Sequence, residues 1–181
     1  MSLSYPLTFP SVGIAKFDLS FRKSVAFSES PFSYAQQVHD FGGAKWEAQV
    51  TIPPLTQSEA QVFQAFLIGL EGRKGTFTLG NPLQTSTLSR TATGNKGDTD
   101  ITFSGEVPAG TYFSIANRLY ITTETGTTDV EIQPPLRADA SGATVDFTQP
   151  LGTWRLATND VNWSTGTSQL TPFTFACVEV I

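Results

Sequence analysis

KWEAQVTIPPLTQSEAQVFQAFLIGLEG, residues 45–72, decides the fold because its hydrophobic period changes partway along. Trp46, Ala48, Val50 and Ile52 fall on one side of an extended chain and Lys45, Glu47, Gln49 and Thr51 on the other, the alternation of a strand with one buried face. Pro53-Pro54 should stop that strand, since neither residue donates to a ladder. From Thr56 the period becomes 3.6. Thr56 and Glu59 have capping-box spacing, and Phe63, Phe66, Leu67 and Leu70 follow at i, i+3, i+4 and i+7. Gly72 is positioned to end the helix. A strand leading into an amphipathic helix, with a stripe that must lie against a sheet, is the expected nucleus.

Upstream, Phe17, Leu19 and Phe21 alternate with Lys16, Asp18, Ser20 and Arg22, and Val25 and Phe27 resume the pattern. A second strand around Tyr34 to His39 meets Asp40-Phe41-Gly42-Gly43, where glycines permit positive φ, so a hairpin turn is expected there. Downstream, Gly75 to Leu79 forms another strand. Gln84 to Asp100 is rich in Thr, Ser and Gly and is expected to be a long connection. Short strands then follow near Ile101–Phe103, Tyr112–Ile115, Arg118–Thr122, Asp129–Gln133, Thr144–Phe147 and Thr153–Leu156, separated by turn residues, as in a small barrel. Phe173 to Ile181 is apolar on both faces and is expected to return to the first sheet, making the barrel an insertion.

The expected fold is therefore mainly β: a β-sandwich or split-barrel unit with one packed helix, formed by residues 1–90 and 157–181, and an inserted small β-barrel formed by residues 91–156. At 181 residues, with 39% hydrophobic and 12% aromatic content, the chain can build a core without metals or disulfides.

Composition also bounds function. Charged residues are 15% of the chain, against roughly 25% in an average domain, and the net charge is −5. Nucleic-acid reading requires clustered Lys and Arg, and basic residues here come no closer than adjacent pairs such as Arg73-Lys74, too small to serve alone. Cys177 is the sole cysteine, so no internal disulfide can form. Met1-Ser2-Leu3-Ser4 lacks the charged start and apolar run of a signal peptide, and synthesis and folding in a cytoplasm are expected.

The residue pattern points to no reacting centre. His39 is the only histidine, and no Gly-x-Ser-x-Gly elbow is present. Cys177 sits in an apolar strand and suits a buried small hydrophobe. One Cys and one His fall short of a structural zinc site. Asp98-Thr99-Asp100 lacks the calcium-loop pattern and fits a solvated turn. The helix is preceded by Pro53-Pro54-Leu55, which cannot cradle a pyrophosphate. Glu47, Glu106, Asp129, Glu131 and Asp146 are a reservoir from which a glycosidase pair would be drawn, although solvated strand faces explain them. Asn162-Trp163-Ser164 matches a glycosylation acceptor, which has no use without secretion. Trp46, Trp154 and Trp163 suit either core packing or a sugar-stacking platform. The expectation is no catalytic, cofactor-binding or metal-binding residues.

Two blocks carry a resemblance. Phe41-Gly42-Gly43-Ala44-Lys45-Trp46-Glu47-Ala48, Ile52-Pro53-Pro54-Leu55-Thr56, the helix through Phe66-Leu67, and Gly75-Thr76-Phe77 make the first. Asn117-Arg118-Leu119-Tyr120, Val130 through Arg137, and Gly152-Thr153-Trp154-Arg155-Leu156 make the second. Together they resemble tail proteins of long-tailed bacteriophages, and the distal tail proteins above all. That resemblance implies a virion structural protein and no enzyme. It implies a homohexameric ring joining the tail tube to a trimeric hub, with DNA passing unbound through a central channel. Six copies at −5 each would carry −30, which repels DNA phosphates and favours sliding. The ring is then expected from the first unit, with the barrel facing outward or toward the hub. A carbohydrate-binding module using Trp154 and a wall-degrading hydrolase using His39 or a carboxylate are the competing expectations.

Overall fold

A computed structural model describes residues 3–82, 86–165 and 170–181. Met1 and Ser2, and Gln84 and Thr85 at the start of the expected long connection, lie outside the described residues. The strands are β1 (Leu7–Thr8), β2 (Lys16–Glu29), β3 (Gln36–Leu55), β4 (Phe77–Gly80), β5 (Ser89–Gly94), β6 (Asp100–Phe103), β7 (Tyr112–Ile115), β8 (Arg118–Thr122), β9 (Val130–Gln133), β10 (Ala140–Asp146), β11 (Leu151–Leu156) and β12 (Thr171–Glu179), with one helix, α1 (Gln57–Gly69), between β3 and β4. The fold is mainly β with one helix and a small closed barrel.

The first unit is one six-stranded mixed sheet in the order β1-β4-β11-β12-β3-β2. α1 lies across it because its apolar stripe has nowhere else to go: Phe63, Phe66, Leu67 and Leu70 are buried. Phe63 meets Phe173 at 4.8 Å, and Phe66 meets Phe77 edge-on at 5.6 Å. The helix start is fixed as its spacing predicts, with the Glu59 carboxylate accepting the Thr56 N–H at 3.1 Å and the Thr56 hydroxyl at 2.6 Å. Those hydrogen bonds hold the Glu59 carboxyl below its ordinary pKa.

The second unit is a closed antiparallel barrel, β10-β5-β6-β9-β8-β7, sealed where Asp146 pairs with Ser114. Phe103, Phe113, Tyr120 and Phe147 fill it, with Phe113 and Tyr120 stacked at 5.4 Å. The chain leaves the sheet after β4 and returns at β11 beside it, so the barrel is inserted between two paired strands. The terminal strand β12 pairs with both β3 and β11, back in the first sheet.

Four details depart from the expectations. Gly42-Gly43 does not turn the chain. β3 runs unbroken for 20 residues, the turn lies at Ser30–Ala35, and the glycines sit at a register shift opposite Ser24. Gly42 has φ +71°, and a bulge uses positive φ as readily as a turn does. Pro53-Pro54 does not end the strand either, because β2 pairing stops at Thr51 and the β12 ladder shifts register between Ile52 and Leu55. Neither proline is asked for an N–H. The barrel's strands run from Ser89 to Asp146, so β5 replaces part of the expected connection. Finally, Leu151–Leu156 belongs to the six-stranded sheet and not to the barrel, pairing with β4 and β12.

Candidate interaction surface: a projecting two-stranded arm

β2 and β3 stay paired well past the point where anything covers them. Near the sheet, Phe17, Trp46, Ala48 and Val50 point into the core. Every residue from Phe21 to Gly43 is exposed except Ser30, which is half-buried. Rung partners share a face, so Phe27 and Val38 stand side by side, 61% and 66% exposed. Val25 lies two residues further in on that face, also exposed. On the opposite face Phe41 packs edge-on against His39 at 4.7 Å. Phe32, at the tip, is 96% exposed, and Tyr34 beside it holds φ +55°. Hydrophobic alternation is carried outward with no partner layer, and the arm holds seven of the thirteen exposed large hydrophobics among the described residues.

Charge fixes the root of this arm. Lys23 and Asp40 pair across the strands at 2.8 Å. That hydrogen bond, with the Gly42 N–H donated to Asp40 at 2.8 Å, holds the Asp40 carboxyl below its ordinary value. Lys45 and Arg22 meet Glu47 at 2.9 and 3.6 Å, and the hydrogen bond from Lys45 chiefly lowers Glu47. Just inward, the barrel grips the arm's base. Arg137 donates to the Ala44 carbonyl at 2.5 Å and to the Glu179 carboxylate at 3.2 Å, while Glu179 also accepts the Trp46 N–H at 3.0 Å. The Trp46 indole donates to the Leu119 carbonyl at 3.0 Å, and Arg118 to the Val180 carbonyl. Arm, sheet and barrel therefore form one braced body at Ala44–Trp46.

The residues weighed for chemistry are dispersed. His39 is exposed on the arm, with Phe41 as its ring neighbour. Cys177 is buried in the sheet, and desolvation pushes its thiol up to about 12. Asp98 accepts the Asn95 N–H at 2.7 Å, closing a turn. Asp146 caps the Thr148 and Gln149 N–H groups, and Glu131 lies on the barrel, apart from Glu47 on the sheet. Asp129 sits just before β9 with φ +50°, and Glu106 is an exposed residue between β6 and β7. Among the described residues no group of three His, Cys, Asp or Glu side chains could hold a metal ion. Trp154 is buried beneath the sheet, donating to the Leu79 carbonyl at 3.1 Å, and offers no face to a sugar. Trp46 is buried as well. Trp163 is partly exposed against Phe173. No helix among the described residues is long and apolar enough to cross a membrane.

Sequence periodicity marked the arm's strands but carried no information on what covers them. The one available signal was the length of the alternating stretch, which exceeds what a single helix and a small barrel can cover. No protein-family model matches the chain, and no curated protein matches it.

Proposed function

We propose that this protein is a structural component of a phage tail that works by assembling with copies of itself, as a ring of about six at the distal end of the tail tube. The observation that carries this reading is the apolar arm, rigidly held at its base and covered by nothing in the single chain. Left open, such a ribbon costs apolar exposure and invites uncontrolled edge pairing. A closed ring covers it and leaves no free edge. The sheet, helix and arm form the ring, and the barrel stands outward or toward the hub. DNA passes through the channel without being bound, kept off by the net negative charge.

The test is assembly. Negative-stain images and sedimentation velocity of the purified protein should show closed rings of about six units. Val38→Asp, on an exposed site, should leave the circular dichroism spectrum of the folded chain unchanged and reduce rings to single chains. A wild-type chain that stays monomeric at high concentration, or mature virions that lack the polypeptide, would sink the reading.

A further inference from the structure

We propose that the arm of one copy seats in a groove on the far edge of its neighbour's sheet, which makes the contact head-to-tail. This rests on the self-assembly reading and adds the place where the arm lands. The groove lies beside β1 and β4, with Phe9, Val12, Ile14, Leu79, Pro82 and Leu151 among its lining, and has a volume of about 680 Å³. Pockets that hold a drug-sized ligand span about 300–1,000 Å³, so the space admits aromatic side chains of the size of Phe32 and Tyr34.

Three observations favour the arm of a second copy as occupant. The first is position. β2, which carries the arm, and β1, which borders the groove, are the two edges of one sheet. At about 4.8 Å per strand the edges lie about 24 Å apart, so an arm directed away from the sheet does not reach its own groove. Copies set side by side bring unlike edges together, and repetition of such a contact closes a ring.

The second is charge. No Asp, Glu, Lys or Arg lines the groove among the described residues. Between Ser24 and Gly43 the arm carries only Glu29 and Asp40 as charged groups, and Asp40 is already paired with Lys23. Burying one against the other strands almost no charge away from water.

The third is size. The paired strands from Ser24 to Gly43 form a ribbon about 26 Å long and about 10 Å across, whose two faces present on the order of 500 Å²; a standard interface takes about 800 Å² per partner. The adjoining open edge of β2, from Lys16 to Lys23, is the further surface available for the remainder.

Cross-linking distinguishes this arrangement from others. Ser33→Cys places a thiol at the exposed tip, and Ser11→Cys or Thr148→Cys places one at an exposed position of the groove. The native Cys177 is buried and stays silent. Co-expressed Ser33→Cys and Ser11→Cys chains, treated with a short bismaleimide, should give cross-linked dimer at least tenfold above that from either variant alone, with the joined Ser33→Cys and Ser11→Cys peptides identified by mass spectrometry. Self-linked Ser33→Cys chains would overturn the proposal in favour of a two-fold arm-to-arm contact. Rings that form without the mixed link would overturn the groove alone and leave self-assembly standing. A chain that stays monomeric overturns both.

Discussion

Arg137 of the barrel and Glu179 of the last sheet strand are paired at 3.2 Å, with the Glu179 side chain almost wholly buried. The same guanidinium holds the Ala44 carbonyl, and its backbone N–H is donated to the Tyr120 hydroxyl at 3.0 Å. The cation thus joins the arm's base to the sheet, and the same residue's backbone N–H ties both to the barrel core.

Removing either partner leaves a charge buried alone, which costs about 3–5 kcal/mol. Glu179→Ala and Arg137→Ala should each lose that much in urea denaturation. Arg137→Met combined with Glu179→Gln should lose clearly less than the sum of the two, because no lone charge is then stranded.

Trp154 is buried, stacks edge-on toward Phe17 at 6.5 Å and hydrogen-bonds to Leu79. Trp154→Ala should destabilise the chain by about 3–5 kcal/mol through the cavity it leaves. Trp163→Ala, on a partly exposed site, should change stability by no more than about 0.5 kcal/mol. Thermal unfolding of the two variants provides the comparison.

Cys177 should be silent to thiol reagents at pH 8 in the native protein and react fully in denaturant. Its folded pKa of about 12 lies above the ordinary 9.0. The native state therefore holds this proton more tightly than the unfolded chain does. The associated stability is complete below pH 9 and is lost as pH rises toward 12. Measured urea midpoints should fall between pH 8 and pH 10.5 more steeply for the wild type than for Cys177→Ala.

Gly42 takes φ +71°, and a Cβ placed there would meet nothing within 4 Å. Gly42→Ala should therefore cost only the left-handed backbone penalty of about 1–2 kcal/mol, and Gly42→Asn less. Chemical denaturation measures the cost. Faster amide exchange confined to residues 36–43 would locate it in the arm.

How much of this was legible in the sequence depends on what each signal encodes. The change of period at Thr56 gave the helix and its buried face, because one side of α1 had to be covered. Alternation identified β11 as a strand but not its sheet, since a two-residue period does not name a neighbour. β5 escaped notice because Ser89–Gly94 has only Ala92 buried, and Gly94 is pressed so close to Ile101 that a Cβ would come within 2.7 Å. β1 is two residues long and makes no pattern. Of the two glycines only Gly42 takes the positive φ that both permit, and the choice between bulge and turn was made by the length of the partner strand. The arm escaped for a related reason: apolar alternation looks the same under a covering layer and in open water.

Gly80 and Leu151 are rung partners in β4 and β11. The polypeptide accordingly departs for the barrel and comes home at the same rung, as if through a socket. Whatever is plugged in there need not disturb the strands around it, and heads of quite different shape can be exchanged on one chassis. The replacement has to bring a cation for Glu179 and the Ala44 carbonyl, a donor for the Val180 carbonyl, a carbonyl for the Trp46 indole and an apolar group where Leu119 enters the core.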